Sequence, residues 1–162
     1  MASLSTPWLT LSIFVPIVCG LIVLAFGRDD RAAMTRNLAL IGALLSFFVT
    51  IPLYTGFDNT TAAMQFVEKV SWIQAFAVNY HLGVDGISLW FVLLTGFVTV
   101  IVVLAGFEVI KSRIAQYMAA FLILSGLMVG VFVALDGLLF YVFFEATLIP
   151  MYIIVGVWGG PN

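Results

Sequence analysis

The sequence predicts an all-α integral membrane protein, and three observations carry that reading. Of the 162 residues, 64% are hydrophobic and only 9% charged, with a mean hydropathy of +1.21, far above that of a water-soluble domain of ordinary composition. Five apolar segments, about 4–26, 37–56, 86–108, 114–134 and 137–157, have spanning length, since a helix needs roughly 20 residues to cross a hydrocarbon layer of about 30 Å. Nearly all the charge sits in the joints between them.

The same composition excludes several functions. Six basic and eight acidic residues, a net charge of -2, provide no surface for nucleic acid. A single cysteine, Cys19, rules out an internal disulfide and any zinc or iron–sulfur cluster supplied by this chain alone. No redox centre or cofactor site is visible, and the expected surroundings are the lipid bilayer.

The first segment reads as a retained span. No basic region precedes it, it is longer than a typical signal core, and no small-x-small cleavage site follows it. Trp8 stands where an interfacial anchor would. Pro16 removes one helical hydrogen bond and frees the Ser12 carbonyl, which predicts a kink of the sort that bundles tolerate. Arg28, Arg31 and Arg36 separate the first two segments, and Lys111 and Arg113 separate the third and fourth. The positive-inside rule places both joints in the cytoplasm, with the N-terminus outside and the fifth span ending inside. Gly42 with Ser46, and Gly126 with Gly130, are small-xxx-small pairs that predict close helix packing.

Residues 57–85 form the one sizeable polar stretch and belong outside. Between Gln65 and Tyr80, apolar and polar residues mix without a clean period of two or 3.6, so this part is either a short interfacial helix or an extended segment lying on the bundle. His81, the single histidine, reads as locally hydrogen-bonded ahead of any ligand or relay role. Asp85 is placed to cap the third span. Glu108, one turn before Lys111, suits an ion pair at the membrane surface.

Glu145, in the fifth segment, is the one ionisable side chain left at depth once ends and joints are assigned. It lies roughly 10 Å along the helix from Leu138, well inside the hydrocarbon layer. A charge there is costly, which makes it a functional candidate. A carboxyl group desolvated without a counter-charge holds its proton, and a cation brought to it from another helix would release that proton. Pro150 leaves the Ala146 carbonyl without its helical donor, so the helix can open beside Glu145, and Thr147 adds a hydroxyl nearby. The alternative is a neutral Glu145 that acts only as hydrogen-bonding glue between helices. Asp136, at the outer edge and on the opposite helical face, reads as a cap or as a group hydrated at the interface, ahead of a shared carboxylate site.

Two stretches carry a resemblance: Tyr80-His-Leu-Gly-Val-Asp-Gly-Ile-Ser-Leu-Trp-Phe-Val-Leu-Leu-Thr-Gly96 and Asp136-Gly-Leu-Leu-Phe-Tyr-Val-Phe-Phe-Glu-Ala-Thr-Leu-Ile-Pro-Met-Tyr152. Together they resemble the subunit M family of proton-pumping NADH–quinone oxidoreductase, respiratory complex I, and the match covers essentially the whole chain. In that family the glutamate of the Phe-Phe-Glu-x-x-Leu-Ile-Pro setting is an essential proton-transfer residue, which falls on Glu145. Members have about fourteen helices, and the glutamate works with lysines on later helices that do not occur here. The resemblance thus implies that residues 1–162 are a single, incomplete membrane region. They would be the N-terminal part of a larger antiporter-like bundle, either a truncated sequence or a split product. It further implies a translocase subunit in a bacterial inner membrane, beside other membrane subunits of the complex, with NADH, FMN, iron–sulfur clusters and quinone handled by partners. A component of a multi-subunit cation/proton antiporter and a purely structural or assembly subunit are the rival readings.

Overall fold

The computed structural model describes residues 7–57, 64–73, 78–110 and 113–158. Each apolar segment is one helix: α1 Trp8–Phe26, α2 Ala32–Thr55, α3 Gly86–Val109, α4 Ile114–Val133 and α5 Gly137–Trp158. All five are long and apolar enough to cross a membrane. In lipid a helix satisfies every backbone group within its own segment, so an apolar run of this length has little alternative. The second helix starts ahead of its apolar run because the joint before it is well satisfied. A single 3-10 turn, Asp29–Arg31, leads into it, and the buried Thr35 hydroxyl accepts the Arg28 N–H at 2.8 Å and lies 2.9 Å from the Arg28 carbonyl.

Helix α4 is the most enclosed span and touches each of the other four helices, whereas α5 has α4 as its principal helix neighbour. The small residues allow the close approaches. A Cβ on Gly126 would lie 2.3 Å from the Ile13 carbonyl oxygen of α1, and one on Gly20 would lie 2.8 Å from Ile123 Cγ1 of α4. Gly130 faces the Phe143 ring of α5, and Gly42 faces Cβ of Cys19 on α1. The two expected pairs therefore serve several neighbours, with Gly126 and Gly130 receiving different helices.

The bundle has two ends of different chemistry. At one, Arg36 Nη2 donates to the Ile110 carbonyl at 3.0 Å, tying the start of α2 to the close of α3. Arg28 and the N-cap Arg113 lie at this end too. Arg28 also meets Asp30 at 3.5 Å, with both side chains largely exposed. Lys111 and the side chain of Glu108 fall outside the described residues, and with them the expected ion pair. Val23, Ile114, Met118 and Leu122 are buried in an apolar cluster toward this end.

At the other end the polar stretch is extended, the second of the two forms its mixed pattern allowed. Strand β1, Gln65–Ile73, pairs antiparallel with β2, Val78–Val84, so a two-stranded sheet joins the helical fold. Aromatic and β-branched residues alternating irregularly with polar ones fit a half-buried pleated surface better than a helical stripe. The ladder is irregular between Gln65 and Glu68, where Phe66 takes φ 55, as at a β-bulge. Opposite β1 the sheet continues: Leu82 bridges Ala134, and the His81 carbonyl accepts the Leu135 N–H at 2.8 Å. Strand β2 then runs directly into α3 through a capping box. Asp85 Oδ1 accepts from Ile87 N at 3.1 Å and Ser88 N at 2.8 Å, while Ser88 Oγ accepts from Asp85 N at 2.9 Å. Beneath the hairpin lies a second apolar cluster that includes Leu9, Leu53, Leu82, Val84, Val92 and Leu139.

Candidate functional site

The fifth helix presents two faces. It begins under Asp136, whose Oδ1 accepts from Leu138 N at 3.0 Å and Leu139 N at 3.2 Å. Leu139, Phe143, Thr147 and Pro150 are buried and recur every three or four residues, as a helix seam against a neighbour does. Gly130 of α4 receives the Phe143 ring on that seam.

Glu145 stands on the other face. It is the ninth of the 22 residues of α5, roughly 12 Å from the helix start, and it is exposed on the surface of this five-helix bundle. It lines a shallow open groove with Ala146, Leu148, Ile149, Tyr152 and Ile153. Leu148, Ile149 and Tyr152 are exposed as well, Tyr152 to 81%. The carboxyl group therefore belongs to a large apolar face that α1 to α4 do not cover.

The two supporting residues turn away from it. At 100° per residue, Thr147 and Pro150 lie roughly 140–160° around the helix from Glu145. The Thr147 hydroxyl is buried toward α4 and donates to the Phe144 carbonyl at 2.6 Å. Pro150 lines an adjoining cavity, which shares Ile149 and Ile153 with that groove, together with Leu24 of α1 and Gln116, Ala120 and Ile123 of α4. Pro150 leaves the Ala146 carbonyl, next to Glu145 in sequence, without a helical donor by covalent chemistry.

A second polar cluster lies at the hairpin end, and the sequence reading did not assemble it. Glu68 Oε2 accepts the backbone N–H groups of Leu9 at 3.0 Å and Thr10 at 3.1 Å, while the Thr10 hydroxyl donates to Oε1. The Thr10 and Tyr80 hydroxyls are hydrogen-bonded at 2.9 Å. Burial pushes the Tyr80 phenol above its ordinary value, against the hydrogen bond with Thr10 and with the negative charge of Glu68. The available signal was Pro7, which occupies the N-cap of α1 and has no side-chain acceptor to offer. His81 pairs with Lys69 across the strands. Among the described residues no three His, Cys, Asp or Glu side chains come together as a metal-ligand set.

Five membrane-spanning helices among the described residues, with an acidic group partway along the uncovered face of the last, define a polytopic membrane protein. No protein-family model matches the chain. Individual relatives do: it is 39% identical to NADH-quinone oxidoreductase subunit M of Rickettsia felis over 98% of this chain and 33% of that protein. It is 44% identical to the same-named subunit of Rhodobacter capsulatus, over 94% and 30% respectively. Against NADH-ubiquinone oxidoreductase chain 4 of Arabidopsis thaliana it is 46% identical over 88% of this chain and 29% of the relative. In structure it matches a chain of respiratory complex I from Thermus thermophilus with bound NADH, with a TM-score of 0.74, 27% identity, and coverage of 93% of this chain and 29% of the other. Over nearly all of its length the chain is thus a homologue of subunit M of NADH-quinone oxidoreductase, and it spans about a third of the length of the curated relatives it matches.

Proposed function

We propose that this chain is the N-terminal part of a proton-translocating membrane subunit of an NADH–quinone oxidoreductase, and that Glu145 is its proton-transfer residue. The observation that carries the reading is the placement of Glu145 at membrane depth on an uncovered apolar face of α5. A carboxyl group facing lipid tails would be costly, so that face is one on which further helices of the subunit would pack. A cation carried by one of them would control whether the carboxyl group is ionised. Pro150 supports the site by loosening the backbone at Ala146, and the Thr147 hydroxyl by occupying the Phe144 carbonyl one turn earlier.

The partners are other membrane subunits of the complex, and NADH, FMN, iron–sulfur clusters and quinone are handled by those partners. The setting is a bacterial inner membrane. The basic end, with Arg28, Arg31, Arg36 and Arg113, faces the cytoplasm by the positive-inside rule, which puts the hairpin outside.

Glu145→Gln in the complete complex tests the assignment, because an amide still hydrogen-bonds between helices but carries no exchangeable charge. Assembly is expected to survive while proton translocation and quinone-linked turnover fall by roughly 10²-fold or more, the range of a lost proton-transfer group. Normal translocation by the assembled variant would remove Glu145 from the mechanism and leave it as interhelical glue.

A further inference from the structure

We propose that Glu68 is a positioning residue for α5: by holding β1 on the first turn of α1, it fixes, through β2, the helix start that carries Glu145. The inference rests on the reading of Glu145 given above.

The chain of contacts is short. The first amides of any helix lack helical acceptors, and the helix dipole favours negative charge there. In α1 this need is met from a distance, because Glu68 stands 59 residues beyond Leu9 in sequence. Its carboxylate takes the Leu9 and Thr10 amides and the Thr10 hydroxyl, and Thr10 in turn holds the Tyr80 hydroxyl on β2. Directly across the ladder Glu68 pairs with Leu82, which is fully buried and bridges Ala134. The neighbouring pair, Lys69 and His81, leads to the bond from Leu135 N–H to the His81 carbonyl. The next residue is Asp136, which caps α5 through Leu138 and Leu139. Only one strand thus separates Glu68 from the start of α5.

Two-stranded hairpins are marginal by themselves, so this one depends on what grips its two edges. On the α1 side the grip is Thr10, bonded to Glu68 of β1 and to Tyr80 of β2. On the other it is residues 134 and 135. Loss of the first grip frees the sheet to move with the second, and α5 begins at the second.

The test uses the complete membrane complex in lipid nanodiscs, with Glu68→Ala and Glu68→Gln compared in two measurements. These are amide hydrogen exchange over residues 8–12 and 134–140, and protons translocated per electron in assembled complex. In Glu68→Ala, exchange at Leu9 and Thr10 is expected to rise roughly tenfold, the size of one lost cap, exchange at Leu135, Leu138 and Leu139 to rise with it to a smaller extent, and the proton yield to fall measurably. Glu68→Gln keeps one acceptor oxygen and should recover part of both. If Glu68→Ala fails to assemble, Thr10→Val removes both bonds of the Thr10 hydroxyl and Tyr80→Phe removes one of them, and both variants are read by the same two measurements. Faster exchange confined to residues 8–12 overturns the proposal, as does an unchanged proton yield despite faster exchange at 134–140. Glu145→Gln is run alongside: if it pumps normally, the reading of Glu145 has failed, and exchange at 134–140 alone then decides whether Glu68 anchors the start of α5.

Discussion

Among the described residues three carboxylates cap α-helix starts: Asp85 and Asp136 cap the helices that follow them, and Glu68 caps one encoded far upstream. Asp85 shows the electrostatics most clearly. The Ser88 N–H is the main influence, with the Ser88 hydroxyl and the Ile87 N–H adding to it, and together they hold its carboxyl below the ordinary 3.8. Each bond favours the ionised form, so the cap's contribution is complete above the unfolded-state value and disappears as pH falls through the lower folded-state value. Asp85→Ala is expected to cost about 1 kcal/mol near neutral pH, seen as a lower unfolding temperature of the assembled subunit. As pH falls below the ordinary 3.8 the gap should shrink while the wild-type carboxyl takes up its proton. A gap that widened in acid would contradict the capping role.

At the scale of elements, the α1–α4 crossing is set by backbone contact, and side chains follow it. Gly126 leaves its Cβ position 2.3 Å from a carbonyl oxygen of α1, with Ile17 and Pro16 carbon atoms at 2.7 and 3.1 Å. A carbonyl within a packed helix cannot rotate aside, so Gly126→Ala must push the two helices apart. We expect a cost of about 1–3 kcal/mol, measured as a drop in thermal stability. Gly137→Ala, with nothing within 4 Å of the added Cβ, serves as control. Both the small-residue pair and the five helices were legible in the sequence, because apolar length and i, i+4 spacing are local quantities. The caps by Asp85 and Asp136 were legible for the same reason. Glu145 stood out as one charge in a long apolar run, yet the sequence placed Thr147 and Pro150 beside it by proximity, where helical geometry turns them toward α4. The hairpin was open between two forms because residues 65–80 have no single period. Glu68 could not be found as a cap because its acceptor role depends on amides 58 and 59 residues away.

Across the whole molecule, burial is uneven in a way that follows the contacts. Some 56% of the most apolar window of α4 is buried but only 22% of that of α5, so the bundle is closed around α4 and open along the face that holds Glu145. The chain matches about a third of its relatives' length, and the Glu145→Gln experiment tests the role of the ionisable group on the open face. The bridge between Leu82 and Ala134 also imposes an order in time. Ala134 is synthesised about 50 residues after Leu82, roughly 3 to 10 s later at ordinary elongation rates. Throughout that interval the outer edge of β2 has no partner, a state in which strands invite wrong pairing. A nascent chain halted at about residue 130 is therefore expected to leave the hairpin open to protease, and one halted beyond α5 to protect it. Equal cleavage at both lengths would show that the hairpin closes without residues 134 and 135.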